Sequence, residues 1–388
     1  MIRLVHGIRE TEYGGTDRFL VGHIITCIFF SEVKLFRRIQ IKHMKKQQFT
    51  NIRDIAKATG VSIATVSRVI NNPDSVSEEK RDIVLEAMNK YNYVPSQVAK
   101  NNFAQHSNTI MFLATDIGNP FINSLIKVMN DICFSRGYNL FTCNVGDDPK
   151  KERKYYEYCV ANRCAGMVYA MGVSRSEESF KLKHDIPVVV IDGDVDISEN
   201  YMKISSDPYM SMELLVEHLT SLGHERIGYI GSNELMACSH RRQKAFIDVM
   251  SKRDLVANPD YIYSADGLYE CGREAFNVFF SNLKPPTAVI GVNDNIAIGF
   301  MQEAQQHGIS IPAELSICGI DGVTKESFFP SLTTVVQNYA AIAEKAFDYI
   351  SVPGRPKGIV KIEEPVSLFV GESTGSLQKE TAAFNALQ

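Results

Sequence analysis

The sequence predicts an α/β protein with a small helical unit near its start, followed by two lobes that are each built on a parallel sheet. Three observations support this fold class. Helical periodicity fills residues 52–91, strands and helices alternate from residue 108 onward, and the alternating region contains two sets of elements. Such alternation places helices on the faces of a parallel sheet. A chain of 388 residues has room for two or three domains.

The bulk composition excludes several classes of protein. Hydrophobic residues make up 45% of the chain and charged residues 22%, which is ordinary for a globular protein. The net charge is −4, so any contact with nucleic acid must be local, and residues 33–53 carry seven lysines or arginines and no acid. None of the eight cysteines forms a C-x-x-C pair or lies near a histidine at zinc spacing. We therefore expect reduced thiols in a cytosol, with no disulfide, no metal and no other cofactor.

Residues 1–47 do not fit the pattern of a folded domain. Residues 19–30 (FLVGHIITCIFF) form an apolar run of 12 residues. This run is too short for a membrane span, which needs about 20 residues. An acidic, glycine-bearing stretch precedes it and no small-residue cleavage site follows, which argues against an export signal. We expect translation to start at Met44 and residues 1–43 to come from an over-called start codon, and we assign residues 1–47 to a non-native extension or a disordered arm. The alternative is a membrane or partner-binding arm.

A first amphipathic helix is predicted at the start of the helical unit. Apolar positions recur at the i, i+3, i+4, i+7 spacing of one helix face, at Ile52, Ile55, Ala56 and Thr59. Thr50 or Asn51 can cap this helix, because a short side-chain oxygen accepts a hydrogen bond from an orphan amide. Gly60 can end it, since glycine tolerates the left-handed conformation.

A second helix is predicted at residues 62–71, with Ser62 as its cap. On a helical wheel its apolar residues cluster on one side, at Val66, Val69 and Ile70. Ala64 and Arg68 fall on the opposite side, and Ile63 lies at the boundary. A third helix follows, with Ser77 as its cap and Tyr91 near its end. Two short helices around a tight turn and a third helix behind them form a helix-turn-helix.

The outward face of the second helix suits the major groove of DNA. Arg68 can donate two hydrogen bonds to guanine, and Ala64 can pack on a thymine methyl group. Ile63 is either a third contact to the bases or a core residue. Short polar side chains flank this face and suit phosphate oxygens, at Thr65, Ser67 and Asn71. The alternative is a helical bundle without a nucleic-acid partner.

The region from residue 108 predicts two β/α sets. The first set has strands at residues 109–116, 139–145, 166–170 and 187–192, and helices at residues 120–137, 149–163 and 174–184. The second set has helices at residues 208–222, 239–252, 268–282 and 294–307, and strands at residues 226–231, 261–264, 287–293 and 315–321. Two such sets predict a bilobed protein.

Polar residues collect where the predicted strands end. They are Asp116, Asp192, Asn293, Asp294 and Asp321. Ligands of parallel sheets bind beyond the carboxyl ends of the strands, so several such residues facing a cleft predict a polyol or a similar ligand. The alternative for each residue alone is a helix cap. The sequence contains no G-x-S-x-G, Walker or G-x-G-x-x-G motif and no H-E-x-x-H, which argues against an enzyme.

Eight stretches of the sequence, in order, resemble signatures of the LacI/GalR family of bacterial transcription regulators. They are IRDIAKATGVSIATVSRVIN, YNYVPSQVAK, GNPF, DIPVVVIDG, LGHERIGYIG, VNDNIAIGF, ELSICGIDG and PSLTTVVQN, within about residues 48–374. The resemblance implies a dimer that binds a palindromic operator. It also implies an effector in the cleft of a bilobed domain that is similar to periplasmic sugar-binding proteins.

The resemblance also implies residue roles. Base-reading positions of the family correspond to Ile63, Ala64 and Arg68, and phosphate-contacting positions to Thr65, Ser67 and Asn71. A hinge helix corresponds to residues 95–102, including Val98, Ala99, Lys100 and Asn102. Effector-contacting positions correspond to Asp192, Arg242, Asn293 and Asp321, with Asn119 and Phe121 at a helix start beside the cleft. The chain has Asn102 where the family has a leucine wedge for the minor groove, and Phe103 follows it.

The sequence therefore predicts five segments. They are an extension at residues 1–47, a helix-turn-helix domain at 48–94, a hinge helix and linker at 95–107, a bilobed effector and dimerisation domain at 108–375, and a disordered tail at 376–388. We expect a cytoplasmic, homodimeric repressor of carbohydrate-utilisation genes, with operator DNA and a small sugar-like effector as partners and no membrane. The alternatives are a sugar-binding receptor and a regulator controlled by a phosphoprotein corepressor. An enzyme is the third class, and no sequence motif supports it.

Overall fold

The computed structural model describes residues 51–95, 107–146, 148–171, 186–193, 199–232, 237–323 and 329–377. The chain forms two compact units, Met1–Phe103 and Ala104–Gln388. Four sequence predictions lie outside the described residues: the extension at 1–47, the helix at 174–184, the tail beyond residue 377, and the hinge residues Val98, Ala99, Lys100 and Asn102.

Within its described residues, 51–95, the N-terminal unit forms three α-helices, α1 (Ile52–Thr59), α2 (Ile63–Asn71) and α3 (Glu78–Lys90). Asn51 caps α1, because its Oδ1 accepts hydrogen bonds from the amides of Arg53 (2.8 Å) and Asp54 (3.1 Å). Asp54 in turn accepts from the Asn51 amide at 2.8 Å, which completes a capping box. Gly60 ends α1 with a φ of 71°. These predictions are confirmed.

The start of the second helix is also as predicted, whereas the third helix differs in its cap. The Ser62 Oγ accepts a hydrogen bond from the Thr65 amide at 3.1 Å. Ser77 precedes α3, but its side chain makes no capping hydrogen bond, so that part of the prediction is wrong. A short 3-10 helix at Pro73–Ser75 leads into α3. The three helices share one core, which includes Ile55, Ala56, Val66, Val69, Val84 and Ala87.

The second unit alternates strands and helices along the chain. Its strands are β1 (Ser107–Ala114), β2 (Asn139–Asn144), β3 (Cys164–Ala170), β4 (Val188–Ile191), β5 (Tyr201–Ser206), β6 (Ile227–Ser232), β7 (Ile262–Ala265), β8 (Ala288–Gly291), β9 (Ser316–Asp321), β10 (Thr333–Val336), β11 (Ile359–Glu364) and β12 (Ser367–Phe369). Its helices are α4 (Pro120–Ser135), α5 (Pro149–Ala161), α6 (Pro208–Ser221), α7 (Ala237–Lys252), α8 (Tyr269–Phe280), α9 (Asp294–Gln306) and α10 (Tyr339–Ser351).

These strands form two six-stranded sheets, which are the cores of two lobes. The first has the order β11-β5-β4-β3-β1-β2 and the second the order β12-β10-β9-β8-β6-β7. Neighbouring strands are parallel throughout, except that β12 runs antiparallel to β10 at an edge. The predicted fold class, with two parallel-sheet lobes, is confirmed.

The two lobes are interleaved along the chain. The chain leaves the first lobe after β5, returns to it after β10 to form α10 and β11, and then adds β12 to the second sheet. The sequence prediction assigned two consecutive sets and missed β5, β10, α10, β11 and β12. β12 has only three residues, and β11 (IVKIEE) is an edge strand with alternating exposure, so neither is a long apolar run.

Apolar side chains cover both faces of the first sheet. In β1, Ile110 and Phe112 belong to one core cluster, whereas Met111 and Leu113 belong to the cluster on the other face. Successive side chains of a strand point to opposite faces, so a strand with both faces buried is apolar throughout. The second lobe has one large core, with Tyr229, Phe246, Phe279 and Phe300 among its fully buried side chains.

Two glycines allow α8 and α9 to pack closely. A Cβ atom at Gly272 would lie 2.1 Å from the carbonyl oxygen of Ile296, and one at Gly299 would lie 2.1 Å from that of Tyr269. Only a residue without a side chain fits at either position. No helix in the described part of the chain is long and apolar enough to cross a membrane.

Candidate functional site

A small cavity lies in the second unit, at the carboxyl ends of strands from both sheets. Its empty volume, including space open to solvent, is about 330 Å³. The residues that line it are Asn119, Phe121, Met171, Asp192, Ser232, Cys238, Ser239, Arg242, Val292, Asn293 and Asp321. All six residues predicted for the effector site are among them. The structure thus brings these residues together, and their contact with an effector stays a prediction.

Arg242 is the central charge of the cavity. It lies in α7, is 7% exposed, and faces Asp192 at the end of β4 and Asp321 at the end of β9. Its Nη2 is 3.5 Å from Asp192 Oδ2 and its Nη1 is 3.8 Å from Asp321 Oδ1. Nη1 also donates a hydrogen bond to the Val292 carbonyl at 2.7 Å. The Arg242–Asp192 pair joins the second lobe to the first.

Asp321 is buried and sits in an unusual backbone conformation, with a φ of 122°. Burial raises the pKa of Asp321 to about 8, although Arg242 acts in the opposite direction. The Gln337 side-chain amide donates a hydrogen bond to Asp321 Oδ1 at 2.6 Å, and Ser206 donates one to Gln337. Tyr339 donates its hydroxyl to the Asp321 carbonyl at 3.0 Å. Asp321 is therefore connected by hydrogen bonds to segments where the chain crosses between lobes.

The two asparagines of the cavity also cap helices. Asn119 Oδ1 accepts from the Phe121 amide at 2.9 Å, and Asn293 Oδ1 accepts from the Ile296 amide at 2.9 Å. Capping uses the side-chain oxygen, and the Asn119 amide nitrogen also lies 3.7 Å from Met171 Sδ, another residue of the cavity.

Two other polar residues at predicted strand ends do not line the cavity. Asp116 is exposed and accepts a hydrogen bond from the Gly118 amide at 2.8 Å. Asp294 is fully buried and accepts from Thr334 Oγ1 at 2.5 Å and from the Val323 amide at 2.9 Å. Both carboxylates therefore hold backbone segments, and neither is among the residues that line the cavity.

Sequence reasoning missed five lining residues and one supporting residue. Met171 and Ser232 lie at the ends of β3 and β6, so the strand-end rule contained a signal for both. Cys238 and Ser239 lie in the first turn of α7, and Val292 follows β8. Gln337 follows β10, a strand that was not predicted, although the quoted family-like stretch PSLTTVVQN contains this residue. Burial raises the pKa of the Cys238 thiol to about 11, so this thiol is protonated and unreactive near neutral pH.

The N-terminal unit presents the other predicted surface. Ile63 is 48% exposed, and Ala64 and Arg68 are exposed beside it on α2. Ile63 is therefore an outward-facing residue and not part of the core. Ser67 Oγ accepts a hydrogen bond from Asn71 Nδ2 at 3.3 Å, and the hydroxyls of Thr65 and Ser62 are 2.9 Å apart. Their roles as DNA contacts stay predictions.

The described residues contain no cluster of histidine, cysteine or acid side chains that could hold a metal ion. The seven cysteines within the described ranges are free and buried, at Cys133, Cys143, Cys159, Cys164, Cys238, Cys271 and Cys318.

Both units match known protein families. Residues 51–96 match bacterial regulatory proteins of the lacI family, and residues 216–374 match the periplasmic binding protein-like domain. The HTH-type transcriptional repressor PurR of Actinobacillus pleuropneumoniae serotype 3 (strain JL03) is 30% identical over 303 residues, which are 77% of this chain and 89% of that protein. The HTH-type transcriptional regulator DegA of Bacillus subtilis (strain 168) is 31% identical over 335 residues, 84% of this chain and 99% of DegA. These relatives are regulators and not enzymes.

Solved structures agree with this assignment. A lac repressor dimer bound to operator and the anti-inducer ONPF has a TM-score of 0.72 at 20% identity, covering 84% of this chain and 99% of that chain, which shows the fold. A periplasmic binding protein/LacI transcriptional regulator from Alkaliphilus metalliredigens QYMF, complexed with D-xylulofuranose, has a TM-score of 0.59 at 28% identity, covering 69% of this chain and 99% of that chain. From its two matched domains, its relatives and its fold, this chain belongs to the LacI family of bacterial DNA-binding transcriptional regulators.

Proposed function

We propose that this LacI-family protein is a cytoplasmic repressor of carbohydrate-utilisation genes, and that a small sugar-like effector in the interlobe cavity controls its binding to the operator. The observation that carries the proposal is Arg242, which lies between Asp192 and Asp321 at the carboxyl ends of both sheets.

The chemistry of the cavity suits a polyol. Neighbouring sugar hydroxyls both donate and accept hydrogen bonds, so they pair with a carboxylate on one side and a guanidinium on the other. Hydrogen bonds to such charged groups are about twice as strong as neutral ones. Phe121, Met171 and Val292 add apolar surface for the carbon face of a sugar ring. The effector would thus contact both lobes and favour one interlobe angle.

The N-terminal unit would read the operator through α2. Ile63, Ala64 and Arg68 face outward and would contact bases, while Thr65, Ser67 and Asn71 would contact phosphates. A homodimer would bind a two-fold operator with half-sites about one DNA turn or a multiple apart. The effector would act by changing the affinity of this dimer for the operator.

A purine is the second candidate for the effector. Several relatives at 30–32% identity are named as the repressor PurR. A flat heterocycle would stack on Phe121 and use the side-chain amides of Asn119 and Asn293, which also line the cavity.

A ligand screen tests the effector class. The full chain is heated with pentoses, hexoses, purine bases and nucleosides, and its unfolding is followed by circular dichroism. A ligand at 100 times its dissociation constant should stabilise the chain by about 2.7 kcal/mol. We expect a sugar to do so, and stabilisation by purines alone would transfer the assignment to the second candidate.

Operator binding provides the second test. An operator is selected from random duplexes, and its affinity is measured with and without the ligand that the screen identifies. Arg242→Met should retain operator binding and lose the response to the ligand, whereas Arg253→Met, at a surface ion pair with Glu217, should respond as the wild type does. An unchanged response of Arg242→Met would contradict the assignment of the site.

A further inference from the structure

Arg241 lies beside the cavity and reaches across the cleft. It is half-buried in α7, next to Arg242 in the sequence. Its Nη1 donates a hydrogen bond to Ser205 Oγ at 3.0 Å, and Ser205 lies at the carboxyl end of β5 in the first sheet. The guanidinium of this second-lobe residue therefore occupies the space between the lobes.

The guanidinium of Arg241 is incompletely satisfied. Its Nε is buried and has no hydrogen-bond partner, whereas buried donors in proteins are nearly always paired. No carboxylate among the described residues forms an ion pair with Arg241, in contrast to Arg242, which has Asp192 and Asp321. A positive charge with an unused donor is thus held in a protected position.

Arg241 interacts electrostatically with a residue that lines the cavity. Burial raises the pKa of Cys238 to about 11, and Arg242 and Arg241 both oppose this shift, so both arginines lie within electrostatic range of that lining residue. Cys238 and Ser239 lie in the first turn of α7 and line the cavity. The positive end of the α7 dipole therefore adds to the potential of the two guanidinium groups.

We infer that Arg241 is a specificity residue that binds an oxyanion of the effector, a phosphate or a carboxylate group. This inference rests on the proposed effector site and narrows its ligand to anionic sugar derivatives. The planar guanidinium presents several N–H groups in a fixed fork that matches an oxyanion. Arg242 already faces Asp192 and Asp321 and takes the hydroxyls, and Ser205 can donate its hydroxyl to the same oxyanion.

An oxyanion bound to Arg241 would also constrain the relative position of the two lobes. Arg241 belongs to the second lobe and Ser205 to the first, so an oxyanion bound to both would hold the lobes together. A neutral sugar would contact Arg242 and the aspartates only. The anionic form of a sugar is therefore expected to bind more tightly than its neutral parent.

The inference is tested on the full chain by thermal unfolding with defined probes. The probes are inorganic phosphate against chloride at equal ionic strength, and two matched pairs, D-glucose with D-glucose 6-phosphate and D-glucose with D-glucuronate. We expect phosphate and at least one anionic sugar to raise the melting temperature more than the neutral sugar does. The two pairs distinguish a phosphate from a carboxylate.

Variants assign the effect to Arg241. Arg241→Gln should weaken phosphate binding at least tenfold, and Arg253→Gln, at an exposed ion pair with Glu217, should leave it unchanged. Arg241→Lys keeps the charge but not the fork, and should weaken phosphate binding severalfold, which provides the test if Arg241→Gln does not fold. Equal phosphate binding by wild type and Arg241 variants, or no binding by the wild type, would overturn the inference.

Operator affinity separates this inference from the proposed function. Phosphate binding that depends on Arg241, with no sugar, anionic or neutral, altering operator affinity, would support the oxyanion site and contradict the effector role of the cavity. Control of operator affinity by a neutral sugar alone, with phosphate binding independent of Arg241, would support the effector role and overturn the oxyanion site.

Discussion

Replacement of Arg242 by methionine is expected to destabilise the second unit far more than replacement of a surface arginine. Methionine keeps the aliphatic stem of the side chain and removes the guanidinium. Asp192 and Asp321, which are 5% and 6% exposed, are then left without their cation. The Val292 carbonyl also loses the donor that lies 2.7 Å away in the wild type.

The size of the effect follows from the burial of the three charges. Removing one partner of a buried ion pair costs about 3–5 kcal/mol, because it leaves an uncompensated charge away from water. The exposed pair Arg253–Glu217, at 3.2 Å, is a matched control and is worth at most about 1 kcal/mol. Arg242→Met is therefore expected to lower the free energy of unfolding by several times as much as Arg253→Met.

The loss should also depend on pH. The folded-state pKa of Asp321, about 8, lies above the ordinary value, so the stability contributed by this group is present in acid and is lost as pH rises through about 8. Without Arg242, ionised Asp321 is still less favourable. The destabilisation of Arg242→Met should therefore be smaller at about pH 6 than at about pH 9.

Urea unfolding followed by far-ultraviolet circular dichroism measures these differences, since the chain has no tryptophan for fluorescence. Adding Asp321→Asn to Arg242→Met should recover part of the loss, because one uncompensated carboxylate is removed. The reasoning is refuted if Arg242→Met costs no more than Arg253→Met, or if its cost is the same at both pH values.

Three further predictions concern the two units. Arg68→Ala should weaken operator binding by about 1–3 kcal/mol and relax the preference for one base in competition assays. The control Arg81→Ala, on α3, should leave the base preference unchanged. An equal loss of affinity for every operator sequence would mean that Arg68 contacts a phosphate and not a base. Gly272→Ala should lower the free energy of unfolding by about 1–3 kcal/mol or more, because the new Cβ would lie 2.1 Å from the Ile296 carbonyl oxygen. Urea unfolding measures this loss, and an unchanged urea midpoint would show that α8 and α9 can move apart without cost. The affinity for the effector, measured by calorimetry, should increase as pH rises through about 8, because a hydroxyl donor of the ligand favours the ionised form of Asp321. Asp321→Asn should abolish this pH dependence. If the pH dependence persists in the variant, another group is responsible for it.

Local sequence signals were sufficient for the first two helices of the N-terminal unit, whereas the predicted cap of the third helix at Ser77 was wrong. Asn51, Ser62 and Gly60 act within one turn of the residues they cap, so their roles can be recognised from spacing alone. The apolar and polar faces of α2 follow from the same periodicity, and the exposure of Ile63 resolved its boundary position. In the second unit, apolar runs such as β1 and β4 identified most central strands, because strands buried on both faces consist of apolar residues.

Long-range packing determined the rest. β11 pairs with β5, for example Ile359 with Tyr201, although more than 150 residues of chain separate the two strands. Neither strand has a long apolar run from which this pairing could be predicted. Five polar residues looked equivalent at predicted strand ends. The folded lobes bring Asp192, Asn293 and Asp321 around Arg242, and they turn Asp116 and Asp294 to backbone contacts elsewhere. The contact between Arg241 and Ser205, and the unpaired Nε of Arg241, likewise depend on how the two sheets are placed. Distances between lobes are set by the packing of whole helices and strands and not by the spacing of neighbouring residues in the sequence.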